Sequence, residues 1–118
     1  LELSAAYASD IQALIIESGF AFASPLLRLL GVHPETLGFQ EEYGFRNQDK
    51  ITRFQEPTLI IHAEYDHIIP FSDGQALYAA SQANQKQLVT IKSANHNDIF
   101  FKGMQTYMQA IQELVESL

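Results

Sequence analysis

The stretch "PTLIIHAEYDHIIPFSDG", residues 57–74, decides how this chain is read. Pro57 suits the first position of a strand, where a missing N–H removes no ladder bond. "TLIIHA" is a β-branched and nearly all-apolar run, as a strand covered on both faces requires. "EYDHIIP" is a short acidic loop. "FSDGQALYAA" then opens a helix near Phe71 or Ser72, with Ser72 or Asp73 as its cap. Asp66 therefore falls just past the carboxyl end of a buried strand, the edge where open α/β sheets collect functional groups. A carboxylate working there needs a histidine to orient, and that histidine needs a nucleophile to activate.

Downstream, "KQLVTIK" supplies a further strand through Leu88, Val89 and Ile91, and the tight loop "SANH" sets His96 beyond its end. The last stretch, "NDIFFKGMQTYMQAIQELVESL", carries a helical period. Phe100, Met104, Tyr107, Met108, Ile111, Leu114 or Val115, and Leu118 form its predicted apolar face, with Asp98 as cap. Upstream, Leu1, Leu3, Ala5, Ala6 and Tyr7 read as the tail of a helix ended by Ser9 and Asp10. Ile11, Ala13, Leu14, Ile15 and Ile16 make a short buried strand closed by Gly19. "SPLLRLLG", 24–31, predicts a short helix with a serine cap and a terminal glycine. Residues 33–50, "HPETLGFQEEYGFRNQDK", read as irregular with one helical turn. The excursion from 20 to 56 reads equally as part of a cap or lid and as a surface connection.

The order helix, strand, excursion, strand, helix, strand, helix implies about three parallel strands joined by right-handed crossovers. The fold class is thus α/β, a three-layer α/β/α arrangement in which residues 1–118 form a single, partial domain.

Composition narrows the function. With 118 residues, 47% hydrophobic and 18% charged, the chain is an ordinary globular sequence. A net charge of −7 lacks the basic footprint of a nucleic-acid binder and disfavours anionic lipid. No apolar run approaches the ~20 residues of a membrane helix. The absence of cysteine excludes disulfides, thiolate zinc sites and a cysteine nucleophile, and fits a cytoplasmic setting. The chain begins at Leu1 without methionine, so residues preceding it are expected to have been removed.

The candidate catalytic residues are Asp66 and His96, each beyond the end of a predicted strand, in the order acid then base. A carboxylate holding one imidazole nitrogen leaves the other free to take a proton from a hydroxyl. Glu64 is the second choice of acid, and His62 packs behind the site. His62, Glu64, Asp66 and His67 together do not read as a metal site, because alternation along an extended stretch sends neighbours to opposite sides.

These residues lie in a context that resembles the α/β-hydrolase family. "PTLIIHAEYDHIIP" is similar to the family's proline-led strand and acid turn, "SANHND" to its histidine loop, and "LELSAAYASDIQALIIESGFA" to the segment after its nucleophile helix. The resemblance spans nearly the whole chain and implies the carboxyl-terminal half of that fold. It makes Asp66 the triad acid and His96 the triad base. No residue matches the nucleophile, since the family's serine sits in G-x-S-x-G and that motif does not occur. The serine is expected upstream of Leu1. Ser18 lacks the elbow and reads as a pocket wall, beside Phe20 and Ile68. Ala63, Ala94 and Asn95 stand where the family favours glycine, which puts the geometry of the His96 loop in question. The implied activity is cleavage of a small-molecule ester, thioester or amide, or of a peptide as in prolyl-oligopeptidase-like enzymes, with no cofactor and no metal. A binding or scaffold domain without catalysis is the alternative. The fragment is expected to be inactive alone and to dimerise through an open sheet edge.

Overall fold

The computed structural model describes all residues 1–118. Three strands, β1 (Leu14–Glu17), β2 (Thr58–Ala63) and β3 (Lys86–Ile91), form one parallel sheet in the order β1-β2-β3. Five α-helices accompany it: α1 (Glu2–Ala6), α2 (Ala23–Leu29), α3 (Asn47–Ile51), α4 (Phe71–Ala80) and α5 (Ile99–Glu116). β2 lies in the centre and is buried at every position.

Its side chains divide by alternation. Leu59, Ile61 and Ala63 join Ile91, Ala110 and Leu114 in a core under α5. Ile60 meets Ile16, Ile51 and Leu77 in a second core against α4 and α3. The architecture is therefore helix, sheet, helix, in three layers. β2 and β3 pair from Thr58↔Lys86 to Ala63↔Ile91, so their carboxyl ends finish level. That register brings the two following loops together.

Three local expectations are corrected. The first strand begins at Leu14 rather than Ile11. Residues Ala8–Asp10 take a 3-10 turn, and the first ladder bond is donated by Leu14 to the carbonyl of Pro57. α2 begins one residue before Ser24 and has no side-chain cap of its own; the Glu41 carboxylate accepts the amides of Ala23 and Ser24 instead. The excursion contains a 3-10 turn at Glu41–Tyr43 and the helix α3, and its Ile51 and Phe54 are fully buried.

The face of α5 also differs from its periodicity. Ile99, Gly103, Ala110 and Leu114 are the buried residues, while Phe100, Met104, Met108, Val115 and Leu118 are at least half exposed or nearly so. The cause is close approach. A Cβ built on Gly103 would lie 2.3 Å from Ile91 Cγ2, so the helix rests on the sheet at its glycine. Of the predicted stripe, Tyr107, Ile111 and Leu114 pack on the core, and the other large residues are turned aside.

Candidate active site

Asp66 stands three residues past β2, and its side chain has no exposed surface. Oδ1 accepts the amides of Ile68 at 2.9 Å and Ile69 at 2.8 Å, a turn in which an aspartate binds its own downstream backbone. Oδ2 lies 2.8 Å from Nδ1 of His96, thirty residues away in sequence. Burial pushes the Asp66 carboxyl up, but the Ile69 amide, the His96 imidazole and the Ile68 amide outweigh it and hold it below its ordinary value. A carboxylate only accepts, so Nδ1 of His96 carries the proton. Nε2 is then the bare nitrogen and makes no hydrogen bond within the chain. The His96 side chain keeps 29% of its surface exposed.

The loop that carries His96 is tied to the Asp66 turn residue by residue. Glu64 donates its amide to the Ile91 carbonyl at 3.0 Å, and Tyr65 donates to Ala94 at 2.9 Å. The Glu64 carboxylate accepts the Ser93 amide at 2.9 Å, and Lys102 holds the Ser93 carbonyl at 2.8 Å. Ser93 itself takes the left-handed conformation, with φ of 58°. Ala63, Ala94 and Asn95 have no positive φ, and Ala94 is fully buried. Asn95 and Asp98 close the loop reciprocally. Asn95 Oδ1 accepts the amides of Asn97 and Asp98, and Asp98 Oδ1 accepts that of Asn95 at 2.7 Å. Asp98 occupies the cap position of α5, yet its carboxylate binds Asn95 and Lys102 instead of the helix amides.

The other sequence-predicted residues are placed as follows. Glu64, the second-choice acid, points to Ser93 and Lys92, away from His96. His67 is exposed. Alternation fails past Ala63: the turn brings His62 Nε2 to 3.6 Å from Asp66 Oδ2, a convergence that strand periodicity did not foresee. Ser18 ends β1 with φ of 46°, and its buried hydroxyl has no hydrogen-bond partner. Phe20 stacks edge-to-face on Phe45 at 5.2 Å, and Ile68 is half-buried beside Asp66. No cavity joins these three. Phe20 borders a hollow along β1 with Leu14, Ile16 and Asn47, while Asp66 and His96 line none of the cavities.

Asp73, expected as a helix cap, is buried on α4 and accepts the amides of Ala21 at 2.9 Å and Phe22 at 3.3 Å. The N-cap of α4 is Pro70, which offers no side-chain bond. Glu64 and Asp73 are the positioning groups that sequence alone missed. Each is an acidic residue in or after the acid turn, and nothing local separates them from solvated charges.

No family model matches the chain. It is similar to alpha/beta hydrolase domain-containing protein 17B of Homo sapiens, 37% identical over 71 residues, which are 60% of this chain and 24% of that protein. Among solved structures it is similar to Est1E from Butyrivibrio proteoclasticus, with a TM-score of 0.72 and 19% identity over 97% of this chain and 54% of that one. It is also similar to the Paleococcus ferrophilus monoacylglycerol lipase, with a TM-score of 0.71 and 16% identity over 98% of this chain and 63% of that one. The chain thus spans about a quarter of the curated relative and somewhat over half of each solved neighbour. No helix is long and apolar enough to cross a membrane.

Proposed function

The chain belongs to the α/β-hydrolase family, and from that premise we propose that it supplies the acid and the base of a serine hydrolase triad. The observation that carries this is the 2.8 Å bond from His96 Nδ1 to a carboxylate whose other oxygen is already saturated by two amides. Asp66 fixes the tautomer and the plane of His96 and stabilises the imidazolium that forms. His96 Nε2 takes the proton of a serine hydroxyl as the oxygen attacks the substrate carbonyl. It then returns that proton to the leaving alcohol, thiol or amine. The serine and the oxyanion donors come from residues outside these 118, in the order serine, acid, histidine. The substrate class is an ester, thioester or amide. A carboxylic ester is the first to try, since one fold neighbour is by name a monoacylglycerol lipase.

The test is to express the complete reading frame and treat it with an active-site fluorophosphonate. Covalent labelling that disappears in His96→Ala supports the triad; no labelling, or labelling indifferent to that change, overturns it. A binding domain on the same frame is the second reading, which the lack of G-x-S-x-G in these 118 residues permits. It predicts a full-length sequence without G-x-S-x-G.

A further inference from the structure

His62 is the last-but-one residue of β2, has no exposed surface, and plays no part in the proton transfers above. Its Nε2 lies 2.9 Å from the carbonyl oxygen of Ile69. A carbonyl only accepts, so the proton is on Nε2. Nδ1 is then a bare buried nitrogen, and it has no hydrogen-bond partner. The ring is packed edge-to-face on Phe71 at 5.8 Å. The backbone of α4 comes down on its other side, where a Cβ on Gly74 would stand 2.7 Å from Nδ1.

A buried imidazole with half of its polar capacity unused is a poor filler for a strand position between two hydrophobic layers. The bond it does make explains it. Ile69 contributes both ends of one residue to the same structure. Its amide N–H goes to Asp66 Oδ1, and its carbonyl takes the His62 proton. With Ile68, it forms the turn that fixes the carboxylate, and His62 bolts that turn to the rigid central strand. The protonated Nε2 also lies 3.6 Å from Asp66 Oδ2, too far for a hydrogen bond but of favourable sign.

We propose that His62 is a positioning residue that locks the 66–69 turn through Ile69 and so aims Asp66 at His96. This rests on the reading of Asp66 and His96 as acid and base.

The test is the downfield proton resonance of His96 Nδ1–H, recorded by NMR on the full-length protein at one fixed pH. The acid–base pair requires that resonance in the unsubstituted protein and its loss in Asp66→Asn. His62→Leu fills the space without a donor and is expected to lose the resonance. His62→Gln carries an N–H that reaches the Nε2 position and is expected to keep it. A role limited to filling volume gives the opposite order, because leucine suits an apolar site better than an amide. Retention in His62→Leu overturns the assignment, and so does loss in a folded His62→Gln. Should His62→Leu fail to fold, Gly74→Ala replaces it, since the added methyl displaces the ring. Loss of the resonance there supports the role, and retention overturns it. A resonance indifferent to Asp66→Asn removes the acid–base pair itself and the role of His62 with it, so the two failures are told apart.

Discussion

The turn after β2 and the excursion between residues 20 and 56 both depend on carboxylates, on supports of different rigidity. Asp66 binds the amides two and three residues ahead of it, and Glu64 binds the amide of Ser93 in the adjoining loop. The start of the excursion is held by one carboxylate on α4 and one of its own. Asp73 on α4 accepts Ala21 and Phe22, and Glu41 accepts Ala23 and Ser24. Every residue of β2 is buried, whereas between Ser24 and Lys50 only Pro34 is. The acid turn inherits the rigidity of the central strand. The excursion is anchored at its ends, through Ala21, Ile51 and Phe54, while its middle is largely exposed and belongs to the part of a fold that opens at lower cost. Groups that must hold a proton path to a fraction of an ångström are found on the first kind of support.

This contrast can be broken by substitution. If the proposed triad holds, His96→Ala in the full-length protein is expected to lower turnover on the order of 10⁶-fold and Asp66→Asn on the order of 10⁴-fold, by analogy with serine protease triads. Steady-state kinetics read both, and a comparable loss in Asp73→Ala would erase the distinction between the two regions. On stability the order changes. Leu77→Ala, on the side of α4 that packs against the sheet, should cost about 2–5 kcal/mol in urea unfolding. Asp73→Ala strands the buried amide of Ala21 and should cost roughly 1–3 kcal/mol. It should also speed proteolysis of the excursion while leaving the His96 Nδ1–H resonance in place. Glu41→Ala removes only the borrowed cap of α2, with an expected cost of about 1 kcal/mol.

The smallest effects are those of pH. The folded state lowers the Asp66 carboxyl below its unfolded value of about 3.9, so its contribution is complete above that value and is lost as pH falls through the folded one. The melting temperature should hold between about pH 7 and 5 and drop below about pH 4, less steeply in Asp66→Asn. Tyr107 shows the mirror case at the alkaline end. Its hydrogen bond to Glu17, with burial and the Glu17 charge, pushes the phenol up to about 12. Stability from that bond is present below about pH 10 and is lost as pH rises toward 12, a loss absent from Tyr107→Phe.

Much of this was legible in the chain. The β2 run and the helix that follows it, the parallel partner strand, and the presence of Asp66 and His96 beyond the carboxyl ends of those strands follow from "PTLIIHAEYDHIIPFSDG" and "KQLVTIKSANH". Residue type and period act over a few positions, so sequence displays them directly. The boundaries of β1 were not legible, because Leu14 enters the sheet only where Pro57 offers a carbonyl. The face of α5 was legible only in part: Tyr107, Ile111 and Leu114 do meet the core, but the stripe of large apolar residues outvoted Ile99, Gly103 and Ala110 on paper.

The sequence by itself determined the kinds and order of the elements, and with them which edge of the sheet holds the acid and the histidine. Tertiary structure alone decided the partners. It set Gly103 on Ile91, Glu41 under α2, Asp73 against Ala21, Glu64 on Ser93 and His62 on Ile69. Most of these contacts join residues far apart in the chain, and all of them depend on how the layers register. An acidic side chain gives no local sign of which amide it will meet.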